Sequence, residues 1–63
     1  MIEPIYGCNH CGHEGKALNR TALVRDIQLH LSSVHHWWTS PLDIELNTAK
    51  WGIRVAPADI FNR

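Results

Sequence analysis

Cys8-Asn9-His10-Cys11 is the stretch that decides the fold of this 63-residue chain, because it contains both of its cysteines. A disulfide across so short a loop would gain little loop-closure entropy. A thioredoxin-like redox pair needs a βαβ scaffold around it, for which the chain is too short. Two thiolates at this spacing suit a metal ion, and zinc takes thiolate sulfur and neutral imidazole in a tetrahedron. The stretch therefore predicts half of a zinc site.

The length of the chain also favours a metal. A domain of about this size buries only about 60% of the surface that its unfolded chain exposes. With 44% hydrophobic and 19% charged residues, the composition is too apolar and too varied for a disordered segment. A single domain over residues 1–63 is predicted, and it needs a disulfide, a metal or a partner subunit to be stable.

Two further ligands are available in a predicted helix over residues 21–36. Apolar side chains recur there at helical spacing, and polar side chains occupy another side. Asn19 or Thr21 is suited to cap its start. His30 lies on the edge of the apolar face, where it would point toward the cysteines.

Residues 6–36 resemble the C2H2 zinc fingers. Tyr6 stands two residues before the first cysteine, Ile27 stands three before His30, and four residues separate His30 from His35, as in that family. Eighteen residues separate Cys11 from His30, where the family has about twelve. The resemblance implies a ββα unit with one structural zinc ion.

The identity of the fourth ligand is open on helical geometry alone. In a regular helix His35 and His36 lie about 140° and 120° around the axis from His30, so either requires the last turn to change. The family spacing implies Cys8, Cys11, His30 and His35 as the ligand set. His36 is the alternative fourth ligand, and His10 or His13 beside the cysteines is a further option.

Four protein ligands leave no open coordination position, so the zinc is expected to be structural rather than catalytic. Structural zinc contributes on the order of 10–16 kcal/mol of apparent binding energy, which would more than offset a weak core. The histidines are accompanied by no paired carboxylate, nucleophile–base set or glycine-rich phosphate loop. We therefore expect no enzymatic activity.

The remaining residues, 37–63, are predicted to form a helical C-terminal extension. Ser40 is suited to cap a helix that has Pro41 at its first position, and Gly52 is suited to end it. The predicted fold is a small zinc-stabilised α+β domain, in which a ββα-like finger over residues 6–36 is extended by a second helix.

The charge balance limits the class of partner. Six Lys and Arg offset six Asp and Glu, whereas an electrostatic binder of nucleic acid or anionic membrane usually carries a basic excess. The apolar runs are shorter than a membrane span, and Met1 is followed by Ile2 and Glu3 rather than a basic leader. A soluble intracellular protein is expected, in the cytoplasm or, in a eukaryote, the nucleus.

The base-contacting positions of the zinc-finger family are poorly suited to reading DNA here. They lie one, four and seven residues before the first ligand histidine, which places Leu29, Asp26 and Leu23 there. Leucine cannot make bidentate hydrogen bonds to bases, and phosphate would repel an aspartate. Three cations are the candidates for contact with a nucleic-acid backbone, although an ordinary solvated face is the simpler interpretation: Lys16, Arg20 and Arg25.

Surplus apolar side chains instead favour a protein partner. Trp37 and Trp38 are adjacent and cannot both face one core, and tryptophan is enriched at interface hot spots. Leu29 points away from the apolar face of the helix, and Trp51 follows the second helix. The leading hypothesis is a zinc-binding interaction module that binds and modulates a larger protein. The alternative is a nucleic-acid-binding finger that regulates transcription or another DNA transaction.

Overall fold

A three-stranded antiparallel sheet and two helices make up the described part of the fold. A computed structural model describes residues 3–56 and 60–61. The elements in chain order are β1 (Ile5–Cys8), β2 (Glu14–Lys16), α1 (Arg20–Val34), α2 (Pro41–Leu46) and β3 (Ile53–Ala56). The chain is thus a small α+β protein, and its first three elements follow the strand–strand–helix order expected of a finger.

The sheet is built around β1, which lies between β2 and β3. Tyr6 faces Gly15 of β2 on one side and Val55 of β3 on the other. Cys8, the last residue of β1, faces Ile53. Cys8 is the first cysteine of the turn Cys8–Cys11, which we call the knuckle, and it is therefore held in the central strand.

Helix α1 begins after Asn19, whose side-chain oxygen accepts a hydrogen bond of 2.9 Å from the backbone N–H of Ala22. This bond satisfies one of the free donors of the first turn. The apolar face of the helix is buried against the sheet and α2. The buried residues of α1 are Leu23, Val24, Ile27, His30 and Leu31.

Helix α2 begins as the sequence predicts but ends early. The Ser40 hydroxyl accepts a hydrogen bond of 3.1 Å from Asp43 N–H, and Pro41 opens the helix. The predicted end at Gly52 is wrong, because α2 ends at Leu46 and Asn47 caps it. Asn47 leaves helical geometry, with a φ of −137° and a ψ of 45°, and α2 ends there. Residues 47–52 form turns instead.

The C-terminal extension, which the sequence predicts as helical, also contains a strand, β3. Gly52 adopts a left-handed φ of 71°, which turns the chain back along β1. Ile53 and Val55 then alternate with exposed Arg54, a pattern that suits a half-buried strand. Strand β3 pairs with β1 on the edge opposite β2.

One core joins the finger segment to the C-terminal extension. Ile44 of α2 and Ile53 of β3 are at most 4% exposed and belong to the same cluster as Cys8 and Leu31. The division into residues 6–36 and 37–63 therefore describes the sequence and does not separate two cores, because buried side chains of both segments pack together. Among the described residues, no helix is long and apolar enough to cross a membrane.

Candidate metal centre

Four side chains from three parts of the fold meet at one end of α1. Cys8 ends β1, Cys11 lies in the turn that follows, His30 lies inside α1 and His35 caps its C-terminus. One potential ligand atom from each lies within 4.8 Å of the others. The ligand set that the family spacing implies is thus the one that the structure brings together.

The distances between these atoms fit a tetrahedral zinc ion. The Cys8 Sγ lies 3.4 Å from the His35 Nε2, and the Cys11 Sγ lies 3.5 Å from the His30 Nε2. Zinc bonds of about 2.3 Å to sulfur and about 2.05 Å to nitrogen, at tetrahedral angles, place sulfur and nitrogen about 3.6 Å apart. The four residues could therefore coordinate one metal ion, and two thiolates with two imidazoles suit zinc.

A tight turn aims the two cysteines at one point. The backbone N–H of Cys8 donates to the His13 carbonyl at 2.7 Å, and that of Gly12 donates to the Cys8 carbonyl at 2.8 Å. Gly12 has a φ of 75°, in the left-handed region that glycine adopts without steric cost. The Cys8 side chain is fully buried, whereas Cys11 is exposed at the rim.

The end of α1 explains why His35 and not His36 faces the cysteines. His35 is the C-cap of α1, with a φ of −106° and a ψ of −5°, and its backbone N–H still donates to the Leu31 carbonyl. His36 follows with a left-handed φ of 58° and is exposed. The chain therefore turns away from the helix axis immediately after His35, and His36 is not part of the cluster.

Aromatic rings pack around both ligand histidines. The rings of His13 and His30 are stacked, with centroids 4.5 Å apart and planes at 10°. Trp37 stacks on His35 at 4.9 Å, and His10 meets Trp37 edge-on at 5.1 Å. His10 and His13 lie outside the four-ligand cluster. In the sequence, His10 lies between the two cysteines and His13 directly follows Gly12. These positions indicate that both histidines lie beside the cluster.

Burial sets the protonation of two groups near the cluster. Burial of His30 lowers its pKa below the usual value, and the nearby His13 and His35 add to this effect. The neutral form, which binds metal, is thereby favoured. Burial raises the pKa of Tyr6, and the nearby Asp26 carboxylate raises it further. Asp26, at one of the three base-contacting positions of the family, is thus a neighbour of the Tyr6 side chain.

No family model, curated protein or solved structure matches this chain. The likeness to the C2H2 fingers therefore rests on the arrangement of Cys8, Cys11, His30 and His35 together with the strand–strand–helix order that carries them.

The predicted contact residues lie in different environments. Trp38 and Leu29 are 87% and 59% exposed. Trp37 and Trp51 are half-buried against one another, with ring centroids 5.9 Å apart. Of the four predicted contact residues, Leu29 and Trp38 are therefore the two that present an exposed apolar side chain.

The three cations proposed for nucleic-acid contact lie on two different elements. Lys16 lies on β2, whereas Arg20 and Arg25 lie on α1. The Arg20 guanidinium makes an ion pair with Glu45 of α2, in which its Nε donates at 2.8 Å. The Arg20 side chain thus links α1 to α2.

Proposed function

We propose that this chain is a non-catalytic module that binds one structural zinc ion and uses the small domain so formed to bind and modulate a larger protein. The arrangement of Cys8, Cys11, His30 and His35 carries the first half of the proposal. The exposed apolar side chains Leu29 and Trp38 support the second half.

A structural role suits the set of four protein ligands, because catalytic zinc keeps a position for water or substrate. The Cys8 sulfur is buried in the core, which further restricts access to the ion. Zinc would then link β1 to the end of α1, two elements that a core of this size holds together only weakly.

A protein partner is favoured over DNA by the residues at the base-contacting positions. Leu23 is fully buried, Asp26 carries a charge that phosphate repels, and Leu29 offers only an apolar side chain. The nucleic-acid-binding finger is the second candidate, and the exposed cations Lys16 and Arg25 are the observation that favours it. Regulation of transcription or of another DNA transaction would follow from that candidate.

Metal analysis and folding test the zinc half. The purified chain should contain about one zinc ion per molecule, and Cys8→Ser and His30→Ala should each lose both the metal and the helical far-UV circular dichroism. His36→Ala, which alters an exposed histidine outside the cluster, is the matched control. A metal-free chain with unchanged circular dichroism would refute this half.

A titration with random-sequence DNA at two salt concentrations tests the choice of partner. A protein-binding module should bind DNA weakly and without preference. Strong binding that falls steeply with salt, and weakens on Arg25→Ala and Lys16→Ala, would instead establish the nucleic-acid candidate.

A further inference from the structure

A cleft of about 790 Å³ runs between α1 and the segment that leads into α2. One wall is a face of α1 from Arg20 to Ser32, and the other is formed by Trp38, Pro41 and Glu45. At 1.5 Å per residue, the α1 wall is about 18 Å long. This length matches a short helix or an extended segment of another chain.

Two contacts join the walls of the cleft. The Gln28 Nε2 donates to the Thr39 carbonyl at 2.7 Å, directly beside Trp38. Arg20 pairs with Glu45 across the cleft. The cleft is thus preformed, and a partner would not spend binding free energy on ordering it.

The cleft combines an apolar lining with one uncompensated positive charge. Val24, Leu29, Trp38 and Pro41 supply apolar surface. Since Arg20 is neutralised by Glu45, the remaining charge is that of Arg25, which makes no ion pair with any of the residues that the structure describes. Charge complementarity therefore favours an anionic group on whatever fills the cleft.

We infer that this cleft binds an amphipathic segment of a partner protein, in which apolar side chains stand next to a carboxylate. The apolar side chains lie against Val24, Leu29 and the Trp38 ring, and the carboxylate pairs with the Arg25 guanidinium. This is the groove-binding mode that proteins use for amphipathic helices. The inference rests on the proposed protein-binding function and locates its surface.

A protein segment fits the cleft better than a nucleic acid does. A nucleic-acid backbone presents a phosphate at every nucleotide and is bound through several cations. Among the described residues that line the cleft, one guanidinium is free, and the Glu45 carboxylate lies on the cleft wall. Lys16 lies on β2 and does not line the cleft.

Selection from a displayed library of random peptides, each about 12 residues long to match the α1 wall, tests the inference on the zinc-loaded chain. Enriched peptides should carry Asp or Glu beside large apolar residues. One such peptide is then titrated against the unaltered chain, Arg25→Glu, Trp38→Ser and the control Lys16→Glu. The cleft variants should weaken binding at least about tenfold and Lys16→Glu less than about twofold.

A charge reversal separates a direct contact from a misfolded variant. The peptide in which the acid is replaced by lysine should regain binding to Arg25→Glu and lose it to the unaltered chain. If the peptides bind both cleft variants with the same affinity as the unaltered chain, the cleft is not their binding site. The protein-binding function would still stand. No enriched peptide, together with salt-dependent DNA binding weakened equally by Arg25→Glu and Lys16→Glu, would overturn both.

Discussion

The imidazole of His13 stacks on that of His30, with ring centroids 4.5 Å apart and planes at 10°. One of the two is a candidate zinc ligand and the other is not. The stacked ring shields one face of His30 from water and restricts its rotation, so His30 is held with its Nε2 toward Cys11. His13 is thus placed to position a candidate ligand from outside the four-residue cluster.

His13→Ala should therefore weaken zinc binding moderately, and His13→Phe should preserve it. An aromatic pair contributes about 0.5–1.5 kcal/mol beyond area burial, which corresponds to about a 2- to 12-fold loss of affinity. Competition with a coloured zinc chelator measures the difference. A His13→Phe chain as weak as His13→Ala would show that stacking is not the role of this ring.

The choice between His35 and His36 predicts a large contrast between two adjacent substitutions. His35→Ala removes one of four ligands, and a quarter of the apparent binding energy of about 10–16 kcal/mol corresponds to at least about a 50-fold loss of zinc affinity. His36→Ala should change the affinity less than about twofold. The absorption spectrum of the cobalt-substituted chain should lose its tetrahedral bands only in His35→Ala; equal effects of both changes would contradict the assignment.

A glycine at position 36 should stabilise the chain. His36 has a φ of 58°, a left-handed conformation that costs an L-residue about 1–2 kcal/mol and that glycine adopts freely. His36→Gly is thus expected to raise the free energy of unfolding of the zinc-loaded chain by about 1 kcal/mol, measured by urea titration. His36→Ala, which keeps the strained conformation, is its control and should bring no such gain.

Much of this arrangement follows from local sequence. The knuckle spacing, the apolar periodicity of α1 and the capping residues Asn19 and Ser40 are all short-range signals, and the structure contains the corresponding elements. Helical geometry alone does not decide between His35 and His36 as the fourth ligand, because the choice depends on how the last turn of α1 ends. Only the φ of His36 shows that the chain leaves the helix immediately after His35.

The elements that sequence reasoning missed depend on distant contacts. Strand β3 has four residues, and its pairing partner β1 lies more than forty residues earlier in the chain. A pattern as short as Ile53-Arg54-Val55 does not identify that partner. Helix α2 ends where Asn47 leaves helical geometry, whereas the capping signal at Gly52 predicts a later end. The aromatic packing around His30 likewise exists only in the folded chain.

Gly15→Ala should destabilise the sheet, whereas Gly7→Ala should not do so to the same extent. A Cβ at position 15 would lie 2.7 Å from the Cε1 of Tyr6, whose ring is 3% exposed and cannot move aside. At position 7 it would lie 3.2 Å from the flexible end of Arg54. Overpacking of this kind costs about 1–3 kcal/mol.

Urea unfolding of the zinc-loaded variants measures this difference. Both substitutions replace glycine by alanine in paired strands of the same sheet, so changes in the unfolded chain largely cancel between them. A Gly15→Ala chain as stable as Gly7→Ala would show that the Tyr6 ring can shift.

Acid should destabilise the fold through His30. Its pKa is lowered by burial and by the neighbouring His13 and His35, so the unfolded chain takes up a proton at higher pH than the folded chain does. Stability from this group is then fully present above about pH 6.5 and is lost as the pH falls toward the folded pKa. Protons also compete with zinc for the ligands, which acts in the same direction.

Zinc occupancy and urea midpoints between about pH 7.5 and 5 should therefore fall together. His36→Ala should leave the profile unchanged, since this histidine is exposed and outside the cluster. Constant occupancy and stability across the range would argue against metal binding by His30.

Ile53→Ala tests whether the finger and the C-terminal segment form one cooperative unit. Ile53 is 4% exposed and lies opposite Cys8 in the sheet, so its truncation should cost about 2–5 kcal/mol. Because Ile53 shares its core cluster with Leu31 of α1, the loss should destabilise α1 as well. The urea midpoints followed by helical circular dichroism and by tryptophan fluorescence should then fall by the same amount. Arg54→Ala, on the exposed side of the same strand, is the control and should change neither midpoint. Separation of the two signals would divide residues 6–36 and 37–63 into independent units and overturn the single domain predicted for the chain.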